Sequence, residues 1–156
     1  MHAPSGGSDP HAVQAAAAGK PTCLKTTAIQ NDLGARATNT MRRRAGLQPV
    51  RPNALLASVA SRHACDMARR GLMTHVGTGT PGPAARVKAV GYRPTLTAEN
   101  IAAGPYSLGQ VLAAWNASKG HRTNIMIPQV RDYGIGQAIG ADGRTRFWTA
   151  IYAAPK

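Results

Sequence analysis

Three side chains in this chain could do chemistry together. Glu99 opens Glu99-Asn100-Ile101-Ala102, His121 closes Trp115 through Gly120-His121-Arg122, and His75 lies upstream in Met73-Thr74-His75. Two imidazoles and a carboxylate at one place make a polar site. Such a site could hold a divalent cation, zinc above all, and leave a coordination position open. The carboxylate would complete the ligand set or act as general base on bound water. Ser118, three residues before His121, could hydrogen-bond that water or a substrate. As a nucleophile it would need a base within reach, and His121 is the nearest in sequence. Ser118 also has a plain role, bonding backbone at a helix end. The wide spacing of the histidines is not that of a compact metal motif, so the fold must bring them together.

The elements that would do so are legible in part. Thr26 or Thr27 caps a first helix in which Ile29, Leu33, Ala37 and Met41 recur every four residues as its buried face. Arg42, Arg43 and Arg44 crowd its last turn, where positive charge suits the helix dipole, and read as a solvated helix end. Asn53 caps a second helix to about Arg70, with Leu56, Ala60, His63 and Met67 on one stripe. His63 therefore faces the core, satisfied by backbone or a carboxylate. Gly77 to Pro83 holds three Gly and two Pro and forms a loop, and Ala84 to Val90 is a short helix stopped at Gly91.

Ser107 and Gln110 have the spacing of a capping box, ahead of a helix whose buried face is Leu108, Val111, Leu112 and Trp115. Gly120 is placed to break that helix and present His121 at a sharp exit. Glu99 with Asn100 could alternatively serve only as a local cap after Thr97. The period then changes. Tyr133 to Ile139 and Arg146 to Tyr152 alternate as two antiparallel strands around Asp142-Gly143, a hairpin turn signal. Helices first and strands last give an α+β class, helices packed on a small antiparallel sheet.

Composition sets the outer limits. The 156 residues suit one domain, and residues 1–24, rich in Gly, Ser, Pro and Ala without a period, read as a flexible tail before a folded unit over 25–156. The formal charge of +13 attracts polyanions: anionic lipid, acidic envelope polymers or nucleic acid. Scattered basic residues and 4% aromatics argue against specific nucleic-acid recognition. No apolar run is long enough to span a membrane. The N-terminal stretch lacks the order of a signal peptide, which fits either a cytosolic protein or a mature exported chain. Cys23 and Cys65 are compatible with one disulfide in an oxidising compartment, the alternative being two separate thiols. The open-looking segment around Cys23 favours the bond.

Several segments, taken in order, resemble the CAP superfamily (SCP-like: cysteine-rich secretory proteins, antigen 5 and pathogenesis-related protein 1), and its bacterial branch in particular. They are Arg44-Ala45-Gly46-Leu47, His63-Ala64-Cys65-Asp66-Met67-Ala68, Met73-Thr74-His75, Glu99-Asn100-Ile101-Ala102, Trp115 to Arg122, Asn124-Ile125-Met126, Ile135-Gly136 and Trp148-Thr149. The resemblance implies an α-β-α sandwich with a cleft lined by His75, Glu99 and His121, and an exported protein. It implies that the two histidines bind a divalent metal in some members. Ser118 stands where the larger family has a second Glu, as in bacterial members, so a two-carboxylate mechanism is not expected. Ala98 stands where Gly is usual. The expectation is a monomeric binding module for an anionic envelope component, lipid or protein, with a zinc-dependent hydrolase as the competing reading.

Overall fold

A computed structural model describes residues 9–156. The centre is an antiparallel pair, β6 (Asp132–Ile139) and β7 (Arg146–Pro155), flanked on the β7 side by β5 (Pro94–Gly104). The other edge of β6 carries two short strands. β2 (Thr22–Cys23) runs antiparallel to it at one end, and β3 (Arg51–Pro52) runs parallel to it at the other. The hairpin expected at Asp142-Gly143 forms, with Gly143 at φ +71°.

Alternation along these strands makes two faces. Tyr133, Ile135, Trp148, Ala150 and Tyr152 pack against α1 (Ala28–Arg44), α4 (Leu108–Ala117) and α5 (Lys119–Ile125). Ile151 and Ala153, with Ala138 and Phe147, pack against α2 (Ala54–Arg70), aided by α3 (Pro83–Ala89). The result is the expected α-β-α sandwich, five helices on a sheet that is antiparallel but for β3.

Helix α2 follows its sequence. Asn53 accepts a hydrogen bond from the Leu56 N–H, Gly71 closes the helix in the left-handed region at φ +69°, and Leu56, Ala60, His63 and Met67 are all buried. It lies directly on β6, because Gly134 and Gly136 have no side chains: a Cβ on Gly134 would strike the Ala57 amide, and one on Gly136 the Ser61 backbone.

Helix α1 corrects the sequence reading. Its Thr27 capping box forms, but Ile29 and Leu33 are exposed, at 73% and 46%. The buried face is Asn31, Gly34, Ala35, Thr38 and Arg42. Asn31 is held there because its carboxamide accepts from the Ile135 N–H and donates to the Asn53 carbonyl. Arg42 is not part of a solvated end. It is fully buried and donates to the carbonyls of Gln48, Ile125 and Ile127 at 2.7–2.8 Å.

Two further readings are corrected. Residues 9–24, expected to be tail, are packed from Asp9 onward. The strand β1 (Val13–Gln14) pairs with β4 (Leu72–Met73), and β2 joins the main sheet. The part of the tail over residues 1–8 lies outside the described residues. Cys23 and Cys65 are disulfide-bonded, with Cα atoms 5.2 Å apart, so β2 is tied to α2. Gly120 does not break a helix. The α4 helix ends at Ala117, and Gly120 lies inside α5, so His121 sits in the first turn of a new helix.

Candidate functional site

Glu99 lies in mid-strand on β5 rather than in a turn or cap. Its side chain points to the α2/α3 face and is 1% exposed. A buried carboxylate must be compensated. Arg86 on α3 donates from Nη2 to Oε2 at 2.6 Å, and His75 donates from Nδ1 to Oε1 at 2.8 Å. His63 of α2 places Nε2 3.9 Å from Oε1. Burial alone would raise the Glu99 pKa, but the His75 bond and the Arg86 ion pair outweigh it and hold the carboxyl below its ordinary value. Glu99 is therefore an anion with both oxygens engaged.

The ring roles follow from chemistry. A carbonyl can only accept, so the 2.7 Å contact between His63 Nε2 and the Thr74 oxygen fixes the proton on Nε2. Burial, more than the opposing pull of Glu99, lowers the His63 pKa, so the ring is neutral. His63 is thus a core residue bonded to backbone through Nε2, as expected, while its buried Nδ1 has no hydrogen-bond partner among the described residues. Glu99 can only accept, so His75 carries a proton on Nδ1, and in the neutral form of the ring the lone pair lies on Nε2. The His75 side chain is 49% exposed, so that lone pair belongs to the open side of the site.

His121 arrives from the opposite layer. Asn100, fully buried beside Glu99 on β5, donates to the His121 carbonyl at 3.1 Å. Asn124 donates to the Asn100 side-chain oxygen at 2.8 Å and to the Glu99 carbonyl at 3.1 Å. These amides bind the first turns of α5 to the edge strand. The His121 ring stands 6.4 Å from that of Trp115, which the sequence placed in the core and which is buried. Burial lowers the His121 pKa. Its Nδ1 is buried with no hydrogen-bond partner among the described residues.

His75 and His121 share a cleft of about 400 Å³ along the free edge of β5, with Ile101, Ala102 and Tyr106 in its wall. The sequence-derived constellation is thus partly assembled. His75 and His121 line the cleft, and Glu99 lies beneath His75. Ser118 does not line it; it is the junction between α4 and α5, its backbone N–H donating to Ala114 and its carbonyl accepting from Arg122. Ala98, where Gly was expected, packs toward the α1/α4 side.

Sequence reasoning missed three participants. Arg86 is the main cation on Glu99, and it also donates to the His75 carbonyl at 3.0 Å. Asp9 and His11, assigned to a tail, line the cleft. Only the demand that a buried Glu have a cation could have pointed to Arg86, and nothing ranks it among nineteen Lys and Arg.

The donor set fits a metal only in part. His75 and His121, which both line the cleft, each have a ring nitrogen not engaged in a hydrogen bond and so available as a donor to a cation. No group of three or more His, Cys, Asp or Glu is placed to hold a metal among the described residues.

The chain is thus an α-β-α sandwich with a polar cleft at its edge strand, its imidazoles set by a buried carboxylate. Comparison places it among known proteins. The profile of the CAP family, described as the cysteine-rich secretory protein family, matches residues 35–152, and the chain belongs to that family. It is similar to the uncharacterized protein YkwD of Bacillus subtilis, 31% identical over 99 residues, 64% of this chain and 38% of that protein. The chain thus matches well under half of that relative's length. Among solved structures, an outer surface protein from Borrelia burgdorferi superposes with a TM-score of 0.73 at 21% identity, covering 84% of this chain and 96% of that one. An extracellular protein containing an SCP domain from Bacillus anthracis superposes with a TM-score of 0.68 at 28% identity, over 80% of this chain and 40% of that one.

Proposed function

We propose that this chain is an exported CAP-domain module that binds a ligand in the His75/His121 cleft and does not cleave it. The observation that carries this is the state of Glu99. A general base needs a free lone pair within reach of substrate or water. Both Glu99 oxygens accept short hydrogen bonds, and the side chain is 1% exposed. Its work is to fix the His75 ring. Ser118 lies outside the cleft lining, so the nucleophile reading has no support in the geometry. The disulfide and the extracellular or surface relatives support a secreted or periplasmic location. The charge of +13 supports an anionic envelope component, whether polymer, lipid headgroup or acidic protein, as the partner.

A second reading rests on the two cleft nitrogens. His75 and His121 would hold a divalent cation such as zinc, with remaining positions taken by solvent or ligand. A cation there would polarise a bound oxygen. The Glu99–His75 pair has the form in which a carboxylate fixes the tautomer of a ligating histidine.

The test is calorimetric titration of metal-stripped protein with zinc, beside peptidase and esterase assays with and without the metal. Each is run against a His75→Ala/His121→Ala variant. The non-catalytic reading expects no zinc-dependent turnover above that of the double variant. Turnover that requires zinc and disappears in the double variant would overturn it. One-to-one zinc binding lost in the double variant would establish the metal reading independently of catalysis.

A further inference from the structure

We propose that β4 and the Thr74–His75 turn form a seat for an extended acidic peptide, and that the chain's own Asp9–Gly19 segment occupies it as an internal ligand. Three observations meet there. First, Asp9 Oδ2 accepts from the Thr74 hydroxyl at 2.8 Å and from the His75 N–H at 3.4 Å. Thr74 is 2% exposed, and Asp9 is the only acceptor of its hydroxyl proton among the described residues. A buried hydroxyl donor left unpaired is costly, so the pocket demands an acceptor, and the one it holds is a carboxylate.

Second, much of what holds the segment is backbone, beside the Gln14 side chain, which donates to the Arg70 and Gly71 carbonyls, and Ala15 and Ala16, which pack against the core. Val13 and Gln14 pair antiparallel with Met73 and Leu72. The N–H groups of Ala15 and Ala16 donate to the Gly71 carbonyl at 2.8 and 3.2 Å, and Gly19 donates to Arg69 at 3.0 Å. Gly71 has no side chain where one would strike the Ala16 carbonyl. Val13 is 49% exposed, so it packs into no pocket. Strand addition through main-chain bonds, with one charged anchor, is a known mode of peptide recognition, and it tolerates a change of sequence between anchors.

Third, the segment lies in the ligand cleft. Asp9 and His11 line it together with His75 and His121. A segment that only shielded the β4 edge would need neither a carboxylate nor a path through that cleft. An acidic peptide also suits a chain of formal charge +13. In exchange for Asp9, an incoming Asp or Glu side chain would meet the same two donors, with its flanking backbone on β4.

The test uses the full chain and a fluorescently labelled Asp9–Gly19 peptide, read by anisotropy. In the wild type the tethered segment competes at high local concentration. Asp9→Ala removes its anchor, and the peptide is expected to bind that variant about tenfold more tightly than the wild type. Adding Thr74→Val, or replacing the peptide's own Asp by Ala, is expected to abolish binding. If Asp9→Ala does not fold, Asp9→Asn gives the same comparison with a smaller difference.

Equal affinity for wild type and variant, or no binding to either by natively melting protein, overturns the proposal. Displacement of the peptide by succinate at equal concentration would make the seat a small-acid site and also overturn it. The inference rests on reading the cleft as a binding site. Zinc titration of the same samples keeps the two apart: zinc without peptide binding sinks the peptide seat alone, and peptide without zinc binding sinks the metal reading alone.

Discussion

Two arginines are buried in this domain, and they are neutralised in opposite ways. Arg42, at the end of α1, is fully buried with no carboxylate beside it; its guanidinium spreads its donors over the carbonyls of Gln48, Ile125 and Ile127. Arg86, on α3, is 9% exposed and faces Glu99 at 2.6 Å. Both satisfy the rule that a buried charge needs compensation. Carbonyl dipoles give Arg42 a neutral and untitratable environment, so it clamps α1 to the end of α5. A carboxylate gives Arg86 a partner that can act on something else, and that carboxylate orients His75. The first arginine closes the fold; the second positions the site.

The comparison can be broken at its stronger end first. Arg42→Met would strand the carbonyls of Ile125 and Ile127 and should cost about 3–5 kcal/mol in urea unfolding, among the largest single-residue losses available here. Arg42→Lys should recover little, because an ammonium cannot reproduce the planar fork. A loss below about 1 kcal/mol would mean that water replaces the guanidinium and that the clamp is dispensable.

Arg86→Met leaves a buried carboxylate without its arginine partner and should cost about 3 kcal/mol, while the Arg86→Met/Glu99→Leu double variant should cost clearly less than the two single changes summed. Additive losses would show that the pair is not coupled. The double variant should also lose the fixed His75 tautomer, visible in nitrogen chemical shifts of the ring.

The smallest effect distinguishes the two regions by pH. His63 has a folded-state pKa below the ordinary histidine value of 6.5, through burial. Its contribution to stability is therefore complete above 6.5 and declines as pH falls below that value, because the unfolded chain takes up the proton first. Glu99 acts lower: its depressed pKa gives stability that is present above 4.5 and is lost as pH falls through the folded value. Melting temperature should fall by about 2–4 °C for each kcal/mol lost. His63→Gln should flatten the slope below pH 6.5, and Arg42→Met should leave it unchanged. An unaltered slope in His63→Gln would assign it to His121, whose pKa is also lowered by burial.

How much of this the sequence revealed depends on what each element packs against. The α2 stripe was legible because it is apolar and meets the bare glycines of β6. The α1 stripe was misread because its apolar positions face solvent, while its inner face is Asn31, Gly34, Ala35 and Thr38, whose burial depends on partners far along the chain. The strand β5 escaped because Glu99 and Asn100 interrupt any apolar alternation, and their burial is understandable only once Arg86 and Asn124 are in place. His75, Glu99 and His121 were legible through family resemblance more than through spacing. Asp9 and His11 were invisible in a segment whose composition reads as tail.

The direct seating of α2 on β6 has a consequence for how this protein can change. Gly134 and Gly136 leave no room for even a methyl group. Any side chain there would push out the helix that carries both His63 and the Cys65 sulfur. The cleft wall, by contrast, is built of side chains and short loops that can be exchanged one at a time. Substitution is therefore cheap at the cleft surface and nearly closed at two featureless positions beneath α2. The cleft can be remodelled residue by residue over one rigid keel.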